Sequence, residues 1–205
     1  MKVLLINGSP REDGCTATAL KEMIEIFQAE GVETVLFNLG TRDVRGCVAC
    51  HICKKIERCV YNDVVNELAK DLDECDGLVI GSPVYYASPN GSLLALLDRL
   101  FVSTGRGKTM KVGAAVVSAR RAGTTASLDV LNKYFSISGM PIVSGQYWNM
   151  VHGNTPAEVA RDKEGLQNLR TVARNMVFLM RSIALGKEAF GLPLKEPRVA
   201  TNFIR

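Results

Sequence analysis

"VLLINGSPREDGCTATAL", residues 3–20, decides the fold. Its first five residues are a short, continuous apolar run stopped by Gly8, the pattern of a strand buried on both faces. Thr16 is placed to cap a helix whose Ala17, Leu20, Ile24 and Phe27 fall on one face, and Gly31 ends it. A doubly buried strand, a tight loop and an amphipathic helix in that order belong to a parallel sheet covered by helices.

The alternation continues. "ETVLFNL" (33–39) and "GLVIGSP" (77–83) read as further strands, and "KVGAAVVS" (111–118) and "PIVSG" (141–145) as a fourth and fifth. Between them "DVVNELAKDLDEC" (63–75), "SLLALLDRLF" (92–101) and "SLDVLNKYFSIS" (127–138) carry leucines or valines at helical spacing. "TPAE" (155–158) offers a Thr cap, a Pro at the first helical position and a Glu for a capping box. From there Leu166, Leu169, Ala173, Met176, Met180 and Ile183 form one stripe, best read as core. The expected fold is α/β: a doubly wound sheet of about five parallel strands with helices on both faces. A cysteine-rich excursion at 45–62 follows strand two. The main domain spans 1–185, and 186–205 form a C-terminal arm whose apolar Phe203 and Ile204 point to docking on a neighbour.

Composition narrows the function. Hydrophobic residues make up 47% of the 205 and charged ones 22%, which fits neither a disordered nor a membrane chain. A net charge of +4 gives no case for nucleic acid. The N-terminal apolar run is too short for a secretory signal, so a cytoplasmic setting with reduced thiols is expected for the six cysteines.

In doubly wound sheets ligands bind at the carboxyl ends of the strands. After strand one, Gly8 permits a tight turn, Ser9 and Thr16 offer hydroxyls, Arg11 a charged fork, and the following helix its unpaired N–H groups. This suits a terminal phosphate monoester; neither a dinucleotide fingerprint nor a Walker loop is present. After strand three, "GSPVYYASPNGS" (81–92) sets prolines and a tyrosine pair where a flat ring could lie. After strand four, "SARRAGTTAS" (118–127) offers Gly, hydroxyls and two arginines, readable equally as a solvated basic turn.

Together "GSPR…GCTATAL", "GSPVYYASPNGSLLALLDRL" and "VGAAVVSARRAGTT" resemble the NADPH-dependent FMN reductase branch of the flavodoxin-like superfamily, from residue 1 to about 150. The resemblance implies FMN, with its phosphate on Ser9, Arg11, Cys15 and Thr16. Many relatives carry Asn at the Cys15 position. It places the isoalloxazine against Pro83, Val84, Tyr85 and Tyr86 and the loop at Ser118, Arg120 and Gly123. The implied activity is electron transfer from NAD(P)H through FMN to a small or protein acceptor. No side chain is nominated as an acid or base.

"GCVACHICKKIERC" (46–59) holds Cys47, Cys50, Cys53 and Cys59 at C-x2-C-x2-C-x5-C. Three cysteines at steps of three suit a wrapped iron–sulfur cube. Four thiolates also close a zinc tetrahedron, and a dithiol switch needs only two. Lys54, Lys55, Glu57 and Arg58 make the stretch too polar for a core. The compact motif after strand two also resembles the iron–sulfur flavoproteins of the same superfamily, which implies a [4Fe–4S] cluster on the four cysteines beside FMN. An electron carrier linked to ferredoxin, without direct NAD(P)H oxidation, is the alternative activity. Cys75 reads as a buried hydrophobe and His51 as an exposed neighbour of the motif. "QYWNMVHGN" (146–154) brings Tyr147, Trp148 or His152 near the ring or into an interface. The final helix and tail imply a homodimer or homotetramer.

Overall fold

The computed structural model describes residues 1–105, 107–197, 199 and 201. The strands are β1 (Lys2–Asn7), β2 (Glu33–Asn38), β3 (Gly77–Tyr85), β4 (Ser88–Pro89), β5 (Val112–Ala119) and β6 (Met150–His152). The helices are α1 (Cys15–Ala29), α2 (Cys53–Ile56), α3 (Val64–Glu74), α4 (Gly91–Ser103), α5 (Thr124–Ile137), α6 (Pro156–Val159) and α7 (Lys163–Phe190).

β1 is the centre of the design. Val3 and Leu5 face one side of the sheet, against Leu20, Met23 and Phe27 of α1 and Leu169, Val172 and Met176 of α7. Leu4 and Ile6 face the other, with leucines of α3, α4 and α5. All four are fully buried, which is why the run lacks the alternation of a half-exposed strand. The order is β2-β1-β3-β5-β6, all in parallel register, with β4 pairing antiparallel to β3. From β1 the chain passes first to β2 on one side and then to β3 on the other. The crevice at the carboxyl ends of β1 and β3 is therefore the switch point where a ligand would sit.

Three expectations need correcting. Residues 141–145 do not form the fifth strand: Ile142 makes one bridge to Gly113, and the edge strand is β6, paired to the carboxyl half of β5. Asn168 of α7 is the cause. Its Oδ1 accepts from the Gln146 and Tyr147 amides at 2.7 and 2.9 Å, and its Nδ2 donates to the Tyr147 and Trp148 carbonyls at 3.1 and 3.2 Å. The clamp lifts the chain off the ladder between Val143 and Met150. Second, Thr155 caps only the four-residue α6, where Glu158 Oε2 accepts from the Asn154 amide. The long helix restarts at Asp162, whose Oδ1 accepts from the Gly165 amide at 3.0 Å and whose Oδ2 accepts from the His152 amide at 2.7 Å. Third, Thr16 does not cap α1; Gly14 occupies that position.

The core stripe of α7 is as expected, buried from Leu166 to Met180 with Ile183 partly covered. α7 continues to Phe190, and in the segment beyond it Lys195 Nζ donates to Thr109 Oγ1. Phe203 and Ile204, on which docking of the arm was expected, lie outside the described residues. Among the described residues no helix is long and apolar enough to cross a membrane.

Candidate functional site

The loop after β1 is built from backbone hydrogen bonds. The Gly8 amide donates to the Gly81 carbonyl at 2.8 Å, and the Gly8 carbonyl accepts from Asn90 Nδ2 at 2.7 Å. A Cβ at Gly8 would stand 2.9 Å from the Gly81 oxygen, so glycine is required by the approach of β3. Buried Asn7 organises the rest: its Oδ1 accepts from the Ser9 amide at 3.2 Å and its Nδ2 donates to Asn38 Oδ1 at 2.9 Å. Ser9 Oγ accepts from the Arg11 amide at 3.0 Å. No side chain caps α1, so the first amides of this 15-residue helix stay open to an anion at the end where the helix dipole is positive. Arg11 is exposed beside them.

Thr16 is buried, and its Oγ1 shares a 2.8 Å hydrogen bond with Ser118 Oγ. It thus ties α1 to the end of β5. Cys15 leans toward the Gly153 carbonyl, with its sulfur 3.8 Å from the oxygen. Burial pushes its thiol pKa up, which favours the neutral thiol beside the open start of α1.

The loop after β3 is a tight hairpin. Val84 pairs with Pro89 and Tyr85 with Ser88, leaving Tyr86 and Ala87 as the turn, at φ 50° and 58°. Both central residues have the positive φ of a primed hairpin turn, which normally selects Asn and Gly. Side chains pay strain for that conformation, and such strain gathers at functional positions. It projects the Tyr86 ring fully into solvent. Ser82 Oγ accepts from the Asn90 amide at 3.0 Å, and Asn90 Oδ1 in turn caps α4 through the Ser92 amide.

Gly123 joins the third loop to this hairpin. Its φ is 91°, and a Cβ there would lie 2.7 Å from the Ala87 Cα and 3.0 Å from Val84. Pro83 and Val84 are half-buried, Tyr85 and Arg120 exposed. The structure thus gathers the three loops at one edge of the sheet. His152 joins them through a 3.1 Å contact from Nε2 to the Arg121 carbonyl, while Tyr147 and Trp148 pack edge to face, half exposed.

The cysteine segment lies next to α4. Cys47, Cys50, Cys53 and Cys59 all line one cavity of about 160 Å³, closed on its inner side by Tyr61, Arg99 and Ser103. Ala49, His51 and Glu57 have left-handed backbone, so the chain doubles back around Cys50 and again after Cys53. Among the described residues no three Cys, His, Asp or Glu side chains already sit together as a metal-binding group. The donor set itself, four free thiols on one cavity, fits a thiophilic metal centre.

Cys59 is the fixed member. Its amide donates to Asn66 Oδ1 at 2.9 Å and its carbonyl accepts from Asn66 Nδ2 at 3.0 Å. Its sulfur accepts from Arg99 Nε and Nη2 at 3.3 and 3.2 Å. Arg99 is buried at 2% exposure and forks onto Asp63, Nη1 to Oδ2 at 2.7 Å and Nη2 to Oδ1 at 2.8 Å. Burial works against the Arg99 charge, but its bonds to Asp63 and Cys59 outweigh that cost and the pKa moves up. Burial also opposes the Asp63 charge; Arg99 and the Val65 amide more than compensate, and its pKa moves down.

The sequence puts Asn90 in the loop after strand three, on the same edge as the loop after strand one, whereas Asn7 and Arg99 carry no such reading. Arg99 had a visible signal: it is a charge on the buried face of α4, between Leu96 and Leu100.

The chain is similar to known proteins over most of its length. Residues 1–155 match the NADPH-dependent FMN reductase family. An iron-sulfur flavoprotein of Methanocaldococcus jannaschii is 30% identical over 191 residues, covering 89% of this chain and 99% of that one. An iron-sulfur flavoprotein of Methanosarcina thermophila is 27% identical over 198 residues, covering 92% and 100%. Among solved structures, RosB with bound 8-demethyl-8-formylriboflavin-5'-phosphate superposes with a TM-score of 0.74 at 16% identity, covering 100% of this chain and 94% of that one. A flavodoxin from the domain Archaea gives 0.59 at 13% identity, covering 88% and 99%. At those identities the structures establish the flavodoxin-like fold alone.

Proposed function

The chain belongs to the NADPH-dependent FMN reductase family, and from that premise we propose that it binds FMN at the edge formed by β1, β3 and β5 and passes electrons from NAD(P)H to a small-molecule or ferredoxin-type acceptor. The observation that carries the reading is the uncapped start of α1, opening beneath Ser9 and Arg11 at the switch point of the sheet. The phosphate would take the amides of Gly14, Cys15 and Thr16, the Ser9 hydroxyl and the Arg11 guanidinium. The Thr16 hydroxyl, engaged with Ser118, would act through position rather than contact. Pro83, Val84, Tyr85 and Tyr86 would wall the ring on one side, with Ser118, Arg120 and Gly123 completing the rim. FMN, when bound, supplies the exchange between two-electron and one-electron chemistry. What the chain contributes is orientation, exclusion of water by the hairpin, and backbone donors along the ring edge.

Cys47, Cys50, Cys53 and Cys59 would hold a [4Fe–4S] cluster, which supplies single-electron relay. Four thiols around one cavity support this, as do relatives named for such a centre. Residues 45–62 are then a cluster-bearing insertion in one flavin domain, 1–185, followed by an arm. Exposed Phe178 and Leu185 of α7 favour a homodimer or homotetramer. Six unpaired cysteines favour a reducing, cytoplasmic setting.

The test is an anaerobic spectrum. Purified protein should be coloured, release FMN on heating, and bleach when NADPH or NADH is added. Colourless protein that takes up no FMN on titration removes the reading. A carrier role, without direct NAD(P)H oxidation, is favoured by the same cysteine cavity; in that case reduced ferredoxin bleaches the protein and NADPH does not.

A further inference from the structure

Two cations are buried in this molecule among the described residues, Arg99 and Lys108. Lys108 has a structural explanation: Nζ donates to Thr104 Oγ1 and the Gly105 carbonyl at the end of α4, at 2.8 and 2.7 Å. Arg99 reaches away from its helix. It contacts the cysteine segment at both ends, the Arg45 carbonyl at 3.4 Å and the Tyr61 carbonyl at 3.5 Å, and its guanidinium lies 5.2 Å from the Tyr61 ring centre. Nε, and Nη2 alongside its bond to Asp63, converge on Cys59 Sγ.

A structural tie alone could be made to carbonyls. Placing two N–H groups of a buried cation on a sulfur has a further electrical consequence. Reducing a thiolate-bound cluster by one electron adds one negative charge, part of it on the ligand sulfurs. N–H donors to those sulfurs, fixed in a poorly solvated place, favour the reduced form. The Asp63 carboxylate, forked onto the same guanidinium, opposes it. We propose that Arg99 is a positioning residue that raises the reduction potential of the cluster through its two hydrogen bonds to Cys59 Sγ, with Asp63 as the counter-charge that limits the rise. The inference rests on the cluster reading given above and assigns a sign to each partner.

The signs make the test. Full-length protein would be purified anaerobically as wild type, Arg99→Gln, Arg99→Lys and Asp63→Asn, and each titrated potentiometrically while the cluster absorbance or EPR signal is followed. Asn keeps the α3 cap that Asp63 provides through the Val65 amide. Arg99→Gln removes the charge and the fork, and is expected to lower the potential by a tenfold change in the one-electron equilibrium, ~59 mV. Arg99→Lys keeps the charge without the fork and should fall by less. Asp63→Asn should move it upward. A purely structural Arg99 would alter cluster content without this ordered shift. Clusters retained at wild-type potential in all three variants overturn the inference, and so does a downward shift in Asp63→Asn. If Arg99→Gln cannot hold a cluster, the opposite signs of Arg99→Lys and Asp63→Asn decide the matter. Wild-type protein free of iron and sulfide would instead remove the cluster reading and this inference with it, an outcome distinct from a present but unmoved cluster.

Discussion

The loop after β1 and the segment after β2 stand at the same edge of one sheet and are held in different ways. In residues 8–16 nearly every fixed group is backbone or bonded by a side-chain amide: Gly8 to Gly81, Asn7 to Ser9, Asn90 to Gly8. The loop's shape is therefore set by its own hydrogen bonds, without a ligand. In residues 46–59 the only helix is the four-residue α2, Cys47 and Cys50 are exposed, and one cysteine is tightly placed, by Asn66 and Arg99. Under the cluster reading proposed above, the ligand completes the shape, and binding energy becomes ordering energy. A preformed site is damaged by changing its backbone; a hung site is damaged by removing its ligands.

The largest effect should come from breaking the preformed side. Gly123→Val adds a side chain at a φ of 91° and drives it into the Ala87 backbone. We expect a loss of about 2–4 kcal/mol from strain and overpacking together, read as an earlier urea midpoint, and loss of FMN on gel filtration. A yellow variant with the wild-type midpoint would show that the hairpin yields freely. Asn90→Ala is next. It removes the α4 cap and the bond to the Gly8 carbonyl at once. The expected cost is about 1–2 kcal/mol, with weaker FMN binding by fluorescence titration; an unchanged FMN affinity would separate the cap from the loop.

The two regions also differ in how far sequence alone reveals them. The buried runs at 3–7, 77–83 and 111–118 became β1, β3 and β5 because a strand covered on both faces leaves an unbroken apolar signature. The loop between β1 and α1 was legible for a related reason: Gly8, Ser9 and Arg11 sit at a fixed offset from that signature. Asn168 was not legible. One polar residue in an apolar stripe gave no hint that it clamps residues 146–148 and displaces the fifth strand to 150–152. Its partners are about twenty positions away and are backbone atoms, which carry no sequence identity. The break between α6 and α7 was hidden similarly, since Asp162 competes as a cap by bonding both Gly165 and His152. In the cysteine segment the four thiols that line one cavity were plain from their spacing, and the residue that fixes Cys59, Arg99, lay forty positions further on.

A smaller effect tests Cys75, the buried thiol outside the motif. Burial pushes its pKa from 9.0 up to about 11. The neutral thiol's contribution to stability is complete below the unfolded value of 9.0 and is lost as pH rises through the folded value. Thermal stability should therefore fall between pH 9 and 11 by more in wild type than in Cys75→Ala. Parallel pH curves would place the loss elsewhere. At pH 8 Cys75 should also be the last thiol to alkylate, behind Cys47 and Cys50 in cluster-free protein.

The smallest effect on the fold, and the sharpest on the comparison, is expected from Cys50→Ala. Cys50 is exposed and belongs to neither core layer. Stability of the cluster-free protein should change by no more than about 0.5 kcal/mol. Iron and sulfide content after anaerobic purification should nonetheless collapse, because a set of four thiolates loses one. With the ligand gone, the bonds at Lys54, Lys55 and Arg58 should be cut by trypsin while flavin stays bound and the sheet stays intact. The same cleavage in loaded wild-type protein would mean that the segment is not completed by what it holds. Protection in cluster-free protein would mean that Asn66 and Arg99 already fix the whole segment, and the distinction between a preformed and a hung site would fail on its second half.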